Sequence, residues 1–266
     1  MKQLKLMVLT LTLLMGTMFT SCMDSGESGP QQWAGVVKVN DRMGYVTFTD
    51  AAGTKLIPTN TIPVTLNARM AYIYCQVDEG QDLSTNPKSI KITLLADPTG
   101  IDATAITTPK VESSDVTTNA PVGSLSFASG YSTVAPFQFS ENTIVLPVLY
   151  RVKNVTTTED IKNELAKHTF TLVCYTDDIK SGDTILKLYL RYKVEDEPAA
   201  IAERATRTSS FKAYEISQIL REYTLKSGQT KPAKITIVAQ QNEYNNKLED
   251  TSTIEKVYEI EYKTAE

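Results

Sequence analysis

Histidine occurs once, at position 168, which excludes a zinc site built from several imidazoles and an HExxH metalloprotease helix. The chain also lacks a GxSxG elbow, a P-loop and a GxGxxG turn, so the common hydrolase, nucleotide and dinucleotide chemistries have no anchor. A lone histidine opening a strand reads as a solvated surface residue, not as one member of a Ser-His-Asp triad. These absences point to a protein with no catalytic residue, no metal site and no cofactor. Cysteine is also scarce. Besides Cys22 there are only Cys75 and Cys174, each alternating with apolar neighbours, and both read as small buried hydrophobes. A bridge between them is allowed by an oxidising compartment, but spacing alone does not set its geometry. Long Ala/Leu/Glu/Lys runs are missing, whereas Tyr, Thr, Val and Ile are plentiful, and that balance favours strands.

What is present begins with an address. Lys2 and Lys5 precede an apolar run from Leu6 to Phe19, which ends at Thr20-Ser21-Cys22. The run is short for a membrane span of about 20 residues and has the layout of a secretory signal, here residues 1–21. A cysteine directly behind small residues resembles the lipobox of bacterial lipoproteins, which makes Cys22 the acylated first residue of a tethered protein. Several acyl chains at about 0.8 kcal/mol per buried methylene exceed what stable anchoring needs. Loss of residues 1–21 removes two lysines and no acid, so the net charge of −4 becomes −6. Such a surface does not recruit nucleic acid.

Residues 22–32 are polar and Gly/Ser-containing, as a flexible tether is. From 33 to 96 short period-two runs alternate with turn residues. Strands are expected at Trp33–Val39, Tyr45–Phe48, Lys55–Ile57, Thr61–Leu66, Met70–Val77 and Ile90–Leu95. Five or six strands in that length suggest a small closed barrel of the oligonucleotide/oligosaccharide-binding (OB) kind. Residues 97–121 are rich in Thr, Ser, Ala and Pro and read as a linker. Residues 122–266 return to strands, at Phe137–Phe139, Thr143–Tyr150, Thr169–Thr176, Ile185–Val194, Lys234–Gln240 and Glu255–Tyr262. Helices are expected at Thr158–Lys167, capped by Thr158 with Ile161 and Leu165 on one face, and at Glu215–Tyr223. In Ile185–Val194, Leu186, Leu188, Leu190 and Tyr192 form a packed face, while Lys187, Tyr189, Arg191 and Lys193 form a wet one. The fold class is therefore all-β, an OB-like barrel followed by an immunoglobulin-like β-sandwich. Glu255, Glu259 and Glu261 would guard the last strand as an edge.

The ordered pieces, Cys22, TFTDAAGTKLIPTN (47–60), ARMAYIYCQV (68–77), HTFTLVCYTDD (168–178), DTILKLYLRYKVED (183–196) and SSFKAYEISQIL (209–220), resemble the NigD-like lipoproteins of Bacteroidales. The resemblance spans nearly all of residues 22–266 and implies an OB domain and an immunoglobulin-like domain on a lipid anchor. An outer-membrane location is expected for the anchored protein, and the family's link to bacteriocin gene clusters suggests a protective or immunity role. Asp24 and Glu27 resemble a sparse form of the acidic signal for surface display in Bacteroidetes; the periplasmic and exterior faces both stay open.

Local chemistry adds few sites. Asp183-Thr184-Ile185 resembles the sequon for O-glycosylation in exported Bacteroidetes proteins, at Thr184. Asp177, Asp178 and Asp183 surround Gly182 but do not follow the EF-hand spacing, and Asp is common in turns for its own backbone bonds. Tyr72 and Tyr74 share one strand face and could stack on a base or a sugar, or simply be the half-buried outside of the barrel. Residues 32–95 hold six Lys/Arg against five Asp/Glu, which lacks the basic groove of a nucleic-acid binder. The expected function is a non-enzymatic binding or structural lipoprotein with a protein or glycan partner. A bacteriocin-related protective lipoprotein is the alternative, and a hydrolase the third.

Overall fold

The computed structural model describes residues 31–42, 45–60, 66–81, 83, 87–112, 116–129 and 132–264. The signal segment, Cys22, nearly all of the tether and most of the expected strand Thr61–Leu66 lie outside the described residues. The described chain is all-β and divides into two units. One holds the residues up to Ala103 with Ala128–Val134; the other holds Thr104–Phe127 with the residues from Ala135 on.

The first unit is a closed five-stranded barrel. Its strands are β1 (Gln32–Arg42), β2 (Tyr45–Thr49), β3 (Lys55–Pro58), β4 (Met70–Val77) and β5 (Ser89–Leu94), in the order β1-β2-β3-β5-β4, with β4 paired back to β1. Closure works because β1 is long enough to serve two partners. Its first half pairs with β4 from Gln32↔Gln76 to Lys38↔Met70, and its second half pairs with β2 from Lys38↔Thr49 to Arg42↔Tyr45. A short β6 (Thr99–Ile101) shares the far edge of β4 with β5. Inward positions recur every second residue, as in Ala71, Ile73 and Cys75, and join Trp33, Val37, Phe48, Leu56, Ile90, Ile92 and Leu94 in one core. The expected turn at Asp50-Ala51-Ala52-Gly53 forms by the chemistry that its residues carry. Asp50 Oδ1 accepts from Ala52 N at 2.9 Å and Thr54 N at 2.8 Å, and Gly53 takes a φ of 84°.

The second unit packs two four-stranded sheets. The first sheet has the order β10-β11-β14-β7, from β7 (Ala103–Ala105), β10 (Phe137–Ser140), β11 (Thr143–Val152) and β14 (Thr206–Glu215). The second has the order β12-β13-β15-β16, from β12 (His168–Val173), β13 (Ile185–Val194), β15 (Lys234–Gln241) and β16 (Ile254–Glu261). β8 (Phe127–Ser129) and β9 (Ser132–Val134), which fall almost wholly in the first unit, pair with each other as a separate two-stranded ribbon. Three helices interrupt the strands: α1 (Thr158–Ala166), α2 (Pro198–Ala202) and α3 (Ser217–Ser227). Leu186, Leu188, Leu190 and Tyr192 pack with Ile144, Leu146, Val148, Tyr214, Ile219 and Ile237 in one core. As expected, β16 is an edge strand with Glu255, Glu259 and Glu261 exposed.

Four expectations need correction. β13 and β15 run parallel, because α2, β14 and α3 carry the chain from one to the other, and this departs from the antiparallel sheets of an immunoglobulin-like sandwich. Residues 97–121 are more than a linker. Residues 99–101 and 103–105 are strands, Thr107 bridges Val173, and Ile106 and Ala120 are buried in the sandwich core. Helix α1 is capped by Thr157, not Thr158, and turns Glu164 inward while Ile161 and Leu165 stay 42% exposed. Finally, His168 is a buried residue and not a surface one.

Candidate functional site

The burial of His168 follows from what surrounds it. β12 places it beside Tyr192 of the packed face of β13, and one turn of helix brings Glu164 alongside. His168 Nδ1 lies 2.6 Å from Tyr192 Oη and Nε2 lies 3.3 Å from Glu164 Oε1. Glu164 also accepts from Lys153 N at 2.9 Å and from Arg204, 1% exposed, whose Nε donates to Oε1 at 2.7 Å and Nη2 to Oε2 at 3.2 Å. Arg204 also donates from Nη2 to Asp196 at 3.0 Å and from Nη1 to the Ala200 carbonyl at 2.8 Å. Lys153 and Lys167 complete the pairing of Asp196 at 3.1 and 3.2 Å. This is a satisfied internal network in which every charge meets its opposite. The histidine side chain has no exposed surface, so it cannot serve as a base toward a solvent-borne substrate.

Electrostatics give the network a pH dependence. Burial lowers the His168 pKa, hydrogen bonding and charge from Glu164 pull it up, and the Arg204 and Lys212 cations push it down again; the net shift is downward. For Glu164 burial raises the pKa, but Arg204, the Lys153 N–H and His168 bring it below the ordinary carboxylate value. The unfolded chain therefore takes up the histidine proton first as pH falls. The stability from neutral His168 is complete above its ordinary value of 6.5 and is lost as pH drops through the lower folded value. Denaturant midpoints measured from about pH 8 to about pH 5 should fall with acidification, and His168→Gln should flatten that slope. An unchanged slope in the variant would assign the effect to other groups.

The second cluster lies on the opposite, wet face of β13. Lys187, Tyr189 and Arg191 alternate there, and the loop after β12 adds Tyr175. The Arg191 guanidinium donates from Nη2 to Tyr175 Oη at 2.7 Å and to Glu112 Oε1 at 2.6 Å, and sits 5.1 Å from the Tyr189 ring centroid. Tyr175 and Tyr189 approach at 5.0 Å, and Lys187 Nζ lies 4.9 Å from the Tyr189 centroid. The Tyr189 hydroxyl and then the charges of Glu255 and Asp178 raise the Lys187 pKa against its modest burial. A cavity of about 500 Å³ opens beside this ladder, bounded by Tyr189, Lys187, Asp178, Thr184, Ile185 and Thr236 among others.

The expected site residues are dispersed. Tyr72 and Tyr74 project from β4 on the outside of the barrel. Tyr72 is half-buried; Tyr74 is 38% exposed and donates its hydroxyl to Gln32 Oε1 at 2.5 Å. Thr184 is exposed on the rim of the sandwich cavity. Asp177 pairs with Lys226 at 3.0 Å and Asp183 accepts from Lys180 N at 2.7 Å. Among the described residues no group of three or more His, Cys, Asp or Glu side chains converges to hold a metal. Cys75 and Cys174 are buried free thiols, with pKa values pushed up to about 12 chiefly by burial. Sequence reading missed Glu164 and Arg204, which sit among exposed-looking charges. It placed Lys187, Tyr189 and Arg191 on the wet face but had no signal for Tyr175 joining them.

No family model matches the chain, and no curated protein matches it. Among solved structures, a Bacteroides fragilis protein named as a candidate lipoprotein is 95% identical, covers 89% of this chain over 100% of its own length, and superposes with a TM-score of 0.81. The chain belongs to that lipoprotein family. A Bacteroides vulgatus protein of unknown function, DUF1344, has 12% identity over 88% of this chain and 92% of its own, with a TM-score of 0.55, and shares the fold.

Proposed function

We propose that this lipoprotein is a non-enzymatic binding module of the NigD-like type, anchored through Cys22 at the outer membrane and presenting its two β units to a protein or glycan partner. The observation that carries this reading is the contrast between the two clusters. The only imidazole is locked inside, whereas the Lys187-Tyr189-Arg191 ladder meets solvent beside a cavity, and it offers contact groups rather than a nucleophile and base. The barrel order β1-β2-β3-β5-β4-β1 supports an OB-like first unit, a scaffold that hosts many ligands, so the fold by itself selects none. The acidic net charge disfavours nucleic acid.

Mass spectrometry on protein purified from a Bacteroides host tests the anchor. The expected mass is that of residues 22–266 plus a diacylglyceryl and an acyl group, with partition into the detergent phase, and Cys22→Ala should leave the chain unacylated and soluble. An unmodified Cys22 would remove the lipid anchor from this reading. The same spectrum reads O-glycosylation: loss of a sugar mass in Thr184→Ala assigns it there, and an unaltered mass excludes it. Protease treatment of intact against lysed cells then separates surface display from a periplasmic location.

A further inference from the structure

We infer that the cavity bounded by Lys187, Asp178, Thr184 and Thr236 on the sandwich is a binding site for a neutral saccharide unit. This rests on the reading of the protein as a binding module and adds the ligand class. The cavity volume of about 500 Å³ falls within the range of roughly 300–1,000 Å³ typical of small-ligand pockets. Its polar groups are of both senses. Lys187 supplies only donors, the Asp178 carboxylate only acceptors, and the Thr184 and Thr236 hydroxyls both.

A sugar hydroxyl is itself donor and acceptor, so a vicinal pair can accept from Lys187 while donating to Asp178. With Asp178 and Asp183 on the same rim as Lys187, neither sign of charge is matched throughout, and a neutral polyol can bond to each of these groups without carrying a charge into the cavity. The remaining walls supply apolar contact for the C–H face of a ring. They are Ile179, the 46% exposed Ile185, and Tyr189.

The loop that carries Asp178 and Thr184 is already fixed by bonds that spare the proposed contact groups. Lys226 Nζ holds the Thr176 carbonyl at 2.7 Å and Asp177 at 3.0 Å. Lys180 Nζ donates to the Asp177 carbonyl, Gly182 N donates to the Ser227 carbonyl at 2.8 Å, and the Tyr223 hydroxyl donates to the Asp183 carbonyl. Among the described residues no hydrogen bond or ion pair engages the Asp178 carboxylate. A rim held in place before a ligand arrives lowers the ordering cost of binding.

The test uses the full chain made in a heterologous bacterial host, held in a polyoxyethylene detergent that contains no sugar. Saturation-transfer NMR and calorimetry are run with methyl glucoside, methyl galactoside, methyl mannoside and chitobiose. At least one probe should bind saturably, and Lys187→Ala and Asp178→Asn should each weaken it by about tenfold or more with an unchanged melting temperature. The double variant Tyr72→Ala/Tyr74→Ala should bind like the parent. No saturable binding by any probe up to roughly 10 mM overturns the inference, as does affinity that survives both cavity substitutions. Saccharide binding lost only in the Tyr72/Tyr74 variant would move the site to the barrel; the binding-module reading would then stand and this inference would fall.

Discussion

Arg204→Met should lower the stability of the sandwich unit by about 3–5 kcal/mol, the usual cost of stripping one partner from a buried ion pair, and its melting temperature by roughly 6–20 °C. The consequence falls on Glu164, not on Asp196. Asp196 keeps Lys153 and Lys167, whereas the Glu164 side chain, 5% exposed, would retain only the Lys153 N–H at 2.9 Å and His168 at 3.3 Å. An added Glu164→Gln removes the stranded charge and should recover part of the loss. Thermal unfolding followed by circular dichroism reads both effects. If Arg204→Met melts within about 2 °C of the parent, the guanidinium is not holding the carboxylate in place.

Trp33→Ala should cost the barrel about 3–5 kcal/mol, since it removes the largest side chain from a core closed by only five strands. The indole is 7% exposed and lies over Gly35, where an added Cβ would come within 2.7 Å of Trp33 Cζ2. Glycine at 35 thus leaves the inward position between Trp33 and Val37 to the neighbouring ring. Amide exchange along β1 and β4 measures the loss, which should be concentrated in the pairs from Trp33↔Cys75 to Val37↔Ala71. Gly35→Ala gives an independent reading that keeps the fluorophore. Because Trp33 is the only tryptophan, its emission should shift to the red as the ring is displaced toward water. An unshifted emission would mean that the ring has room that the packing here denies it.

Strand reading succeeded where a strand has one dry and one wet face. β13 was legible to the residue, because Leu186 to Tyr192 alternate with Lys187 to Lys193, and β4 was legible for the same reason. β14 was missed as a strand. Its ThrArgThrSerSer start carries no apolar alternation, and its place is set by ten register pairs with β11, a partner far away in sequence. The same limit hid the internal network. Glu164 follows Ile161 on a helix whose apolar residues suggested the inward face, and only the arrival of Arg204, 40 residues later, makes a carboxylate the buried side chain there. The wet face of β13 was legible as a surface, but its cavity was not, because Asp178 and Thr184 come from a loop whose path depends on α3.

The way the sandwich borrows residues 104–127 sets an order in time. Nearly every pairing of the barrel lies within residues 31–101, so its hydrogen bonds can form as soon as that stretch has emerged. The sandwich cannot do this. Asn119 bonds the backbone of Val194 through both ends of its amide, across 75 residues, and Val122 N waits for the Gln240 carbonyl. Residues 104–127 also bond to β11 and β12, as Gly123 to Leu149 and Thr107 to Leu172, but their packing stays incomplete until the C-terminal strands arrive, and closing so long a loop is slow. In a chain that emerges from its N-terminus this middle segment is the one left exposed longest, after the barrel has already closed ahead of it.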